Sequence, residues 1–186
     1  STNAASLYNH MSNFTMGQNL QENATGDLVT MTMLSALEGS IYTTPIDTDG
    51  VILKSAQVIE NGVFKTAWGD ARHSFYMSIP PTGSLRNVSF KGGKKTIAEL
   101  EKDDALEVLD FSSFIVDSAT GDFSGEIRLG YQLKNGKKTP VSGGSISGNL
   151  LALHHSLLLS KETQRANRFE GPVKLRLSGV SVAGIE

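Results

Sequence analysis

The side chains able to do chemistry are few and widely spaced. The chain has four histidines, His10, His73, His154 and His155, and no cysteine. Four imidazoles could in principle bind a metal ion, but no H-E-x-x-H pair is present. Adjacent histidines on a helix point about 100° apart, so His154 and His155 cannot share an ion in the usual helical way. One of the two is expected against the core and the other in water. The run Gly143 to Gly148 contains Ser145 and Ser147. Neither serine has glycine at both the minus-two and plus-two positions that a nucleophile elbow needs, so a Gly/Ser turn between a strand and a helix accounts for it. The phosphate-cradling patterns G-x-x-x-x-G-K-[ST] and G-x-G-x-x-G are missing as well. Asp47, Asp49 and Gly50 echo the start of a calcium loop, but the acidic series does not continue and no closing glutamate follows, so a turn is expected. The carboxylate pairs Asp103/Asp104 and Glu99/Glu101 sit in a helix-surface context. Residue chemistry alone assembles no catalytic constellation.

Composition narrows the classes further. The chain has 186 residues, 39% hydrophobic and 19% charged, which suits a globular domain and not a disordered one. A net charge of -2 argues against a nucleic-acid partner, which usually requires a basic excess. The lysine-bearing stretches 91–95 and 134–138 flank turns, where lysine guards strand ends. Without cysteine there is no disulfide scaffold, thiol nucleophile or thiolate metal site. No run approaches the ~18 apolar residues of a membrane helix, so no membrane partner is expected. The first residues, Ser1 to Ala4, show neither a basic region nor an apolar one, and no initiator methionine, as in a trimmed chain or a piece of a longer one.

These residues must be positioned by strands above all. Asn61-Gly62 joins a strand at 51–60 to one at 63–68, and Asn135-Gly136 joins 125–134 to 137–141. Asn-Gly suits a type I′ hairpin turn, where both central residues need positive φ. Asp49-Gly50 forms another turn. Val29, Met31 and Met33 alternate with Thr30 and Thr32 across 28–34, and Val173, Leu175 and Leu177 alternate with Lys174, Arg176 and Ser178. Both patterns predict strands with one wet face. Thr96 to Glu99 is a capping box, and Ile97, Leu100, Leu106 and Leu109 predict a helix after it, with Asp103-Asp104 facing solvent. Further helices are predicted over 149–159 and 4–14. Stretches 80–83 and 91–94 read as loops. Together these give one β-rich α+β domain over residues 1–186, mostly antiparallel, with two or three packed helices.

Several blocks in order carry a family likeness. Asp117-Ser118-Ala119-Thr120-Gly121-Asp122-Phe123-Ser124 contains a TGDFS stretch, followed by Gly130-Tyr131-Gln132-Leu133 and the Lys134 to Lys137 turn. Then come Pro140-Val141-Ser142-Gly143, Ser145-Ile146-Ser147-Gly148-Asn149-Leu150, and the finish Leu177 to Gly184. Upstream, 47–50, 59–63 and Asp70-Ala71-Arg72 fall in the same order. Across nearly its whole length the chain resembles the C-terminal half of the TldD/PmbA family, once called modulators of DNA gyrase.

The resemblance implies a proteolytic system. Family members are more than twice as long, with an N-terminal domain this sequence lacks. One subunit type carries zinc on an H-E-x-x-x-H helix completed by a distant cysteine; paired domains cleave extended or unfolded peptides in an enclosed cavity, zinc activating water and glutamate moving protons. Here the helix motif falls on Tyr8-Asn9-His10-Met11-Ser12-Asn13: Tyr8 and Asn13 replace the histidines, Asn9 replaces the glutamate, and the cysteine is absent. The chain therefore resembles the zinc-less PmbA/TldE-like members, with no cofactor expected. The implied role is a non-catalytic subunit in the cytoplasm that pairs with a zinc-bearing TldD-like partner, or with itself, and holds extended peptides. The edges at 28–34 and 173–177 are candidates for strand addition. Two other readings stand beside it. One is a metallopeptidase with a rebuilt site, His10 joining His73, His154 or His155. The other is a self-associating structural domain.

Overall fold

The computed structural model describes residues 1–184 and falls into two compact units. The first comprises Ser1–Asn23, Leu28–Gly92 and Thr163–Val173; the second comprises Ala24–Asp27, Gly93–Glu162 and the chain from Lys174 onward. The fold is β-rich and mostly antiparallel, with four short α-helices among the described residues.

In the first unit β1 (Met31–Leu34) lies between β2 (Ala56–Glu60) and β4 (Asn87–Phe90), antiparallel to both. The Asn61-Gly62 turn, with φ of 46° and 79°, is the predicted type I′ geometry and closes β2 onto β3 (Val63–Phe64). On the far side β11 (Phe169–Pro172) runs parallel to β4, and β10 (Thr163–Ala166) completes the six-stranded sheet. Its core is Met33, Ala56, Val58, Ile59, Phe64, Ala67 and Leu85, with Leu7, Phe14 and Trp68 packed on it. Asn87 is fully buried, and its Oδ1 accepts a 2.6 Å bond from the Ser40 hydroxyl, so its burial does not leave that oxygen unsatisfied. Helices α1 (Ala4–Tyr8) and α2 (Ala71–Tyr76) pack against each other. The predicted helix over 4–14 ends early because His10 takes φ 55°, the left-handed region that stops a helix.

In the second unit β5 (Ala105–Val116) and β6 (Asp122–Lys134) form a long hairpin. The other side of β6 is shared by β7 (Lys137–Val141) and β8 (Ser145–Asn149), and β13 (Ser181–Ala183) pairs with β8. Asn135-Gly136 makes the expected turn, with φ of 51° and 72°. The Thr96 capping box is present, but α3 stops after Ile97–Leu100. The predicted continuation through Leu106 and Leu109 is instead β5. The short apolar spacing suits either period; the difference is made by the Asp103-Asp104 break and by pairing with β6. Asp104 does not merely face water: its Oδ1 accepts from the Asn135 N–H at 2.8 Å, tying the break to the β6–β7 turn.

Two further elements depart from the sequence reading. The helix predicted over 149–159 splits into α4 (Leu150–Leu153), a 3-10 turn (His154–Ser156) and β9 (Leu158–Leu159). The strand predicted at 173–177 shrinks to β12 (Leu175–Arg176), paired with β9. Its faces are reversed: Leu175 is 63% exposed, whereas Lys174 turns to Glu101 and Glu107, and Arg176 donates to the carbonyls of Leu100 and Asp104.

Glycine allows the backbone to close around β9. A Cβ on Gly93 would lie 2.1 Å from the Leu159 carbonyl oxygen, and one on Gly26 2.1 Å from that of Leu157. Backbone cannot yield as a flexible side chain can. Gly93→Ala is expected to destabilise the protein by about 1–3 kcal/mol through this overlap. Urea denaturation followed by circular dichroism measures it, and an unchanged midpoint would refute the close approach.

Candidate functional site

Of the three positions that the resemblance sets against the family's catalytic helix, Tyr8 and Asn9 lie at the end of α1, which packs on α2 in the first unit. Asn3 caps α1, its Oδ1 accepting from the Ser6 N–H at 2.8 Å, and the helix ends at Tyr8. Of Tyr8, Asn9 and Asn13, only Tyr8 is helical; Asn9 is the C-cap, and its Nδ2 donates back to the Ala5 carbonyl at 2.9 Å. Asn13 lies beyond the left-handed turn at His10, so the three positions do not share a helix face. A phenol and two carboxamides are also the wrong donors for zinc, which takes imidazole, thiolate and carboxylate. These residues do not fit the metal of the zinc-bearing subunit.

Tyr8 instead joins an aromatic cluster. Its ring lies 5.0 Å from Tyr76 and 5.9 Å from His73, and Tyr76 meets His73 edge-on at 6.2 Å and Phe75 at 6.2 Å. α2 holds these rings because Asp70 caps it, accepting from the His73 N–H at 2.8 Å. The same carboxylate contacts His73 Nδ1 at 2.9 and 3.0 Å. Burial pushes the Asp70 carboxyl up, but the hydrogen bonds and charge of His73 outweigh it and hold the group below the usual range. The carboxylate accepts from the Nδ1–H, which fixes the orientation of the imidazole ring. Arg72 lies with its guanidinium carbon 5.7 Å from the Tyr76 ring centre, and its Nε donates to the Tyr76 hydroxyl at 3.3 Å. A capping aspartate followed three residues later by histidine was the available signal for this pair; in the sequence His73 stood out as a candidate metal ligand and Asp70-Ala71-Arg72 as a family block, and the two were not joined.

The histidines are divided between the units, His10 and His73 in the first and His154 and His155 in the second. His154 and His155 are both half-buried, not one inside and one out, and their rings stack at 4.2 Å. His154 Nδ1 lies 3.1 Å from the Leu150 carbonyl oxygen, while His155 Nδ1 is buried without a hydrogen-bond partner. Among the described residues no three His, Cys, Asp or Glu side chains gather as a metal set.

The remaining motifs are structural. Asp47 spends its carboxylate on backbone N–H groups, Oδ1 on Asp49 and Val51 at 3.0 and 2.9 Å and Oδ2 on Ser84 at 3.0 Å, as the turn reading expects. Glycines 143 and 144, both at φ 74°, make a turn, but Ser145 and Ser147 lie within β8 and not in that turn. In the TGDFS block Asp122 accepts from the Thr120 hydroxyl at 2.6 Å and from Asn149 Nδ2 at 2.8 Å, locking the β5–β6 turn to the start of α4. The strand at 28–34 cannot add a peptide strand where it is regular, because β1 is paired on both sides.

Residues 1–184 match the model of a family described as the PmbA/TldA metallopeptidase C-terminal domain. A zinc metalloprotease TldD homolog of Saccharolobus solfataricus is 27% identical over 144 residues, covering 66% of this chain and 31% of that protein. An uncharacterised Methanocaldococcus jannaschii protein is 24% identical over 161 residues, covering 79% and 38%. Among solved structures, a Thermotoga maritima protein described as a DNA gyrase modulator superposes with a TM-score of 0.82 at 25% identity, over 98% of this chain and 45% of that one. TldE from Thermococcus kodakarensis gives 0.80 at 18% identity, over 98% and 45%. The chain thus spans less than half the length of each of these proteins.

Proposed function

Because the chain belongs to the PmbA/TldA metallopeptidase C-terminal domain family, we propose that it is a zinc-less, non-catalytic member of such a proteolytic system. It helps form a peptide-holding cavity with a zinc-bearing TldD-like partner, in the cytoplasm. The observation that carries this reading is the α1 terminus, where Tyr8 is packed into an aromatic cluster and Asn9 is spent on capping. Those roles keep the helix in place and supply no water-activating group.

A partner surface is offered by β5. Among the described residues one edge of this twelve-residue strand is unpaired, and Phe114, Ile115 and Val116 are exposed along it. Residues 113–116 hold neither a charge nor proline and pair regularly with β6 beyond the register shifts at 108–113, so this end of the strand is suited to pairing with another sheet.

The test is elemental analysis of the purified protein after incubation with zinc and dialysis at neutral pH, alongside binding and cleavage of a fluorescein-labelled unstructured peptide. The expected result is zinc well below one equivalent, with peptide bound and left intact. Retention of one equivalent, lost in His10→Ala or His73→Ala, together with cleavage, would replace this reading with the rebuilt metallopeptidase.

A further inference from the structure

The α1–α2 surface exposes more aromatic area than packing of two short helices requires. Phe75 is 80% exposed, and Tyr8 and Tyr76 are 47% and 46% exposed. Beside these rings stands a cation with no direct ion-pair partner among the described residues, Asp70 acting on it only at longer range. Among the described residues no carboxylate lies within ion-pair distance of Arg72, and Asp70, the nearest acidic residue in sequence, is engaged by His73. The Arg72 Nε–H is fixed on the Tyr76 hydroxyl, which orients the guanidinium and leaves both terminal amino groups without a protein partner. A planar fork held in this way matches a carboxylate through two parallel hydrogen bonds. Exposed tyrosine, phenylalanine and arginine in one patch are also the residue types that dominate recognition surfaces.

The patch therefore asks for an aromatic ring and a carboxylate about one residue apart. A C-terminal aromatic residue supplies both from a single unit: its ring stacks on Phe75 and Tyr76 while its own carboxylate reaches Arg72. We propose that this surface is a binding subsite for the free C-terminus of an extended peptide ending in an aromatic residue. The inference rests on the peptide-holding reading and specifies which end of the peptide is recognised. Charge complementarity carries it: an exposed guanidinium without a direct ion-pair partner, beside a ring platform, attracts an anion attached to an apolar group, whereas an uncharged apolar segment would leave Arg72 unused.

Fluorescence anisotropy on the whole chain tests it, with labelled unstructured peptides that differ only at the end. The set comprises a C-terminal phenylalanine as free acid, the same peptide as an amide, a C-terminal serine acid, and an amide carrying an internal Phe-Asp pair. The free phenylalanine acid is expected to bind roughly tenfold more tightly than its amide, the scale of one charge-assisted contact. Arg72→Gln is expected to abolish that difference, and Phe75→Ala to abolish the preference for phenylalanine over serine. Both side chains are exposed, so neither change threatens the fold. Tyr76→Phe, which frees the Arg72 Nε, is expected to give an intermediate loss. Equal binding of acid and amide would overturn the subsite while leaving peptide holding intact. Binding of the internal Phe-Asp amide as tightly as the free acid would overturn the C-terminal assignment in favour of acidic side chains. Failure of every peptide to bind would overturn both this inference and the reading it rests on.

Discussion

Phe64→Ala is expected to cost the first unit about 3–5 kcal/mol. Phe64 is fully buried at the end of β3, within the cluster formed by Met33, Val58, Ile59, Ala67 and Leu85. Removing its ring forfeits the transfer free energy of a large aromatic side chain and leaves a cavity lined by neighbours that the sheet holds in place. The strand cannot simply collapse inward, because its main chain is tied to β2 on one edge and to residues 17–18 on the other. Phe64 N–H donates to the Gln18 carbonyl at 2.9 Å, and its own carbonyl accepts from Gly17 at 2.7 Å. Domains of this size carry about 5–15 kcal/mol in total, so the variant should sit near the threshold of folding. Trp68, the only tryptophan, packs on the same cluster and gives a local fluorescence reading of the transition. Phe64→Leu should lose far less, about 1–2 kcal/mol, because most of the volume is kept. A loss below about 1 kcal/mol for the alanine variant would mean that the cluster is not the core of this unit.

The strand elements that were legible in the sequence are those whose turns are dictated locally. Asn61-Gly62 and Asn135-Gly136 announce their hairpins because two successive positive φ angles leave little other choice of residue. The capping box at Thr96 was legible for the same reason, since both of its bonds lie within one turn. How far each element runs is another matter. Residues 97–109 carry apolar spacing compatible with one helix, and it is the break at Asp103-Asp104 and the pairing of Ala105–Val116 with a strand beginning at Asp122 that make the part from Ala105 onward β. Such pairing is settled by tertiary contacts, which a window of a dozen residues does not contain. The reversed faces of β12 have a related cause. Alternation at 173–177 located a strand, but lysine and arginine carry long apolar stems and can turn inward when carboxylates or carbonyls wait there.

The site was legible chiefly as an absence. The resemblance set Tyr8 and Asn13 against the two histidines and Asn9 against the glutamate, and the structure adds what Tyr8 and Asn9 do. Nothing local in the sequence joins Tyr8 to Tyr76, since they meet through the packing of two helices more than sixty residues apart. The Asp70–His73 contact spans three residues and could have been read from a helix cap followed by histidine. Arg72 could not, because its significance depends on which carboxylates are missing around it.

A comparably large effect is expected in the second unit from Lys174→Met. The Lys174 ammonium bonds to Glu101 and Glu107, and Glu107 is also held by Lys138 at 2.6 Å. The Glu107 side chain is only 10% exposed. Methionine fills much of the same volume but leaves Glu101 without this cation and Glu107 with one partner in place of two, at a cost of about 2–3 kcal/mol. This falls below that of a wholly buried pair because Lys138 remains and water reaches part of the cluster. Glu107→Gln in the Lys174→Met background should restore part of the loss, and the four-variant cycle measures the coupling directly. The pH dependence has a definite sign. Burial raises the Glu107 carboxyl, but hydrogen bonds and charge from Lys138 and Lys174 outweigh it and hold the group low. Its contribution is therefore complete above the ordinary glutamate value and is lost as pH falls below it through the depressed folded value. For Lys174, burial lowers the ammonium, but the two carboxylates outweigh it and raise the group. That contribution is present below the ordinary lysine value and is lost as pH rises above it through the raised folded value. Urea unfolding by circular dichroism across both limits should show Lys174→Met converging on the native protein at each extreme. A constant gap between the two curves from acid to alkali would assign the loss to packing and not to charge.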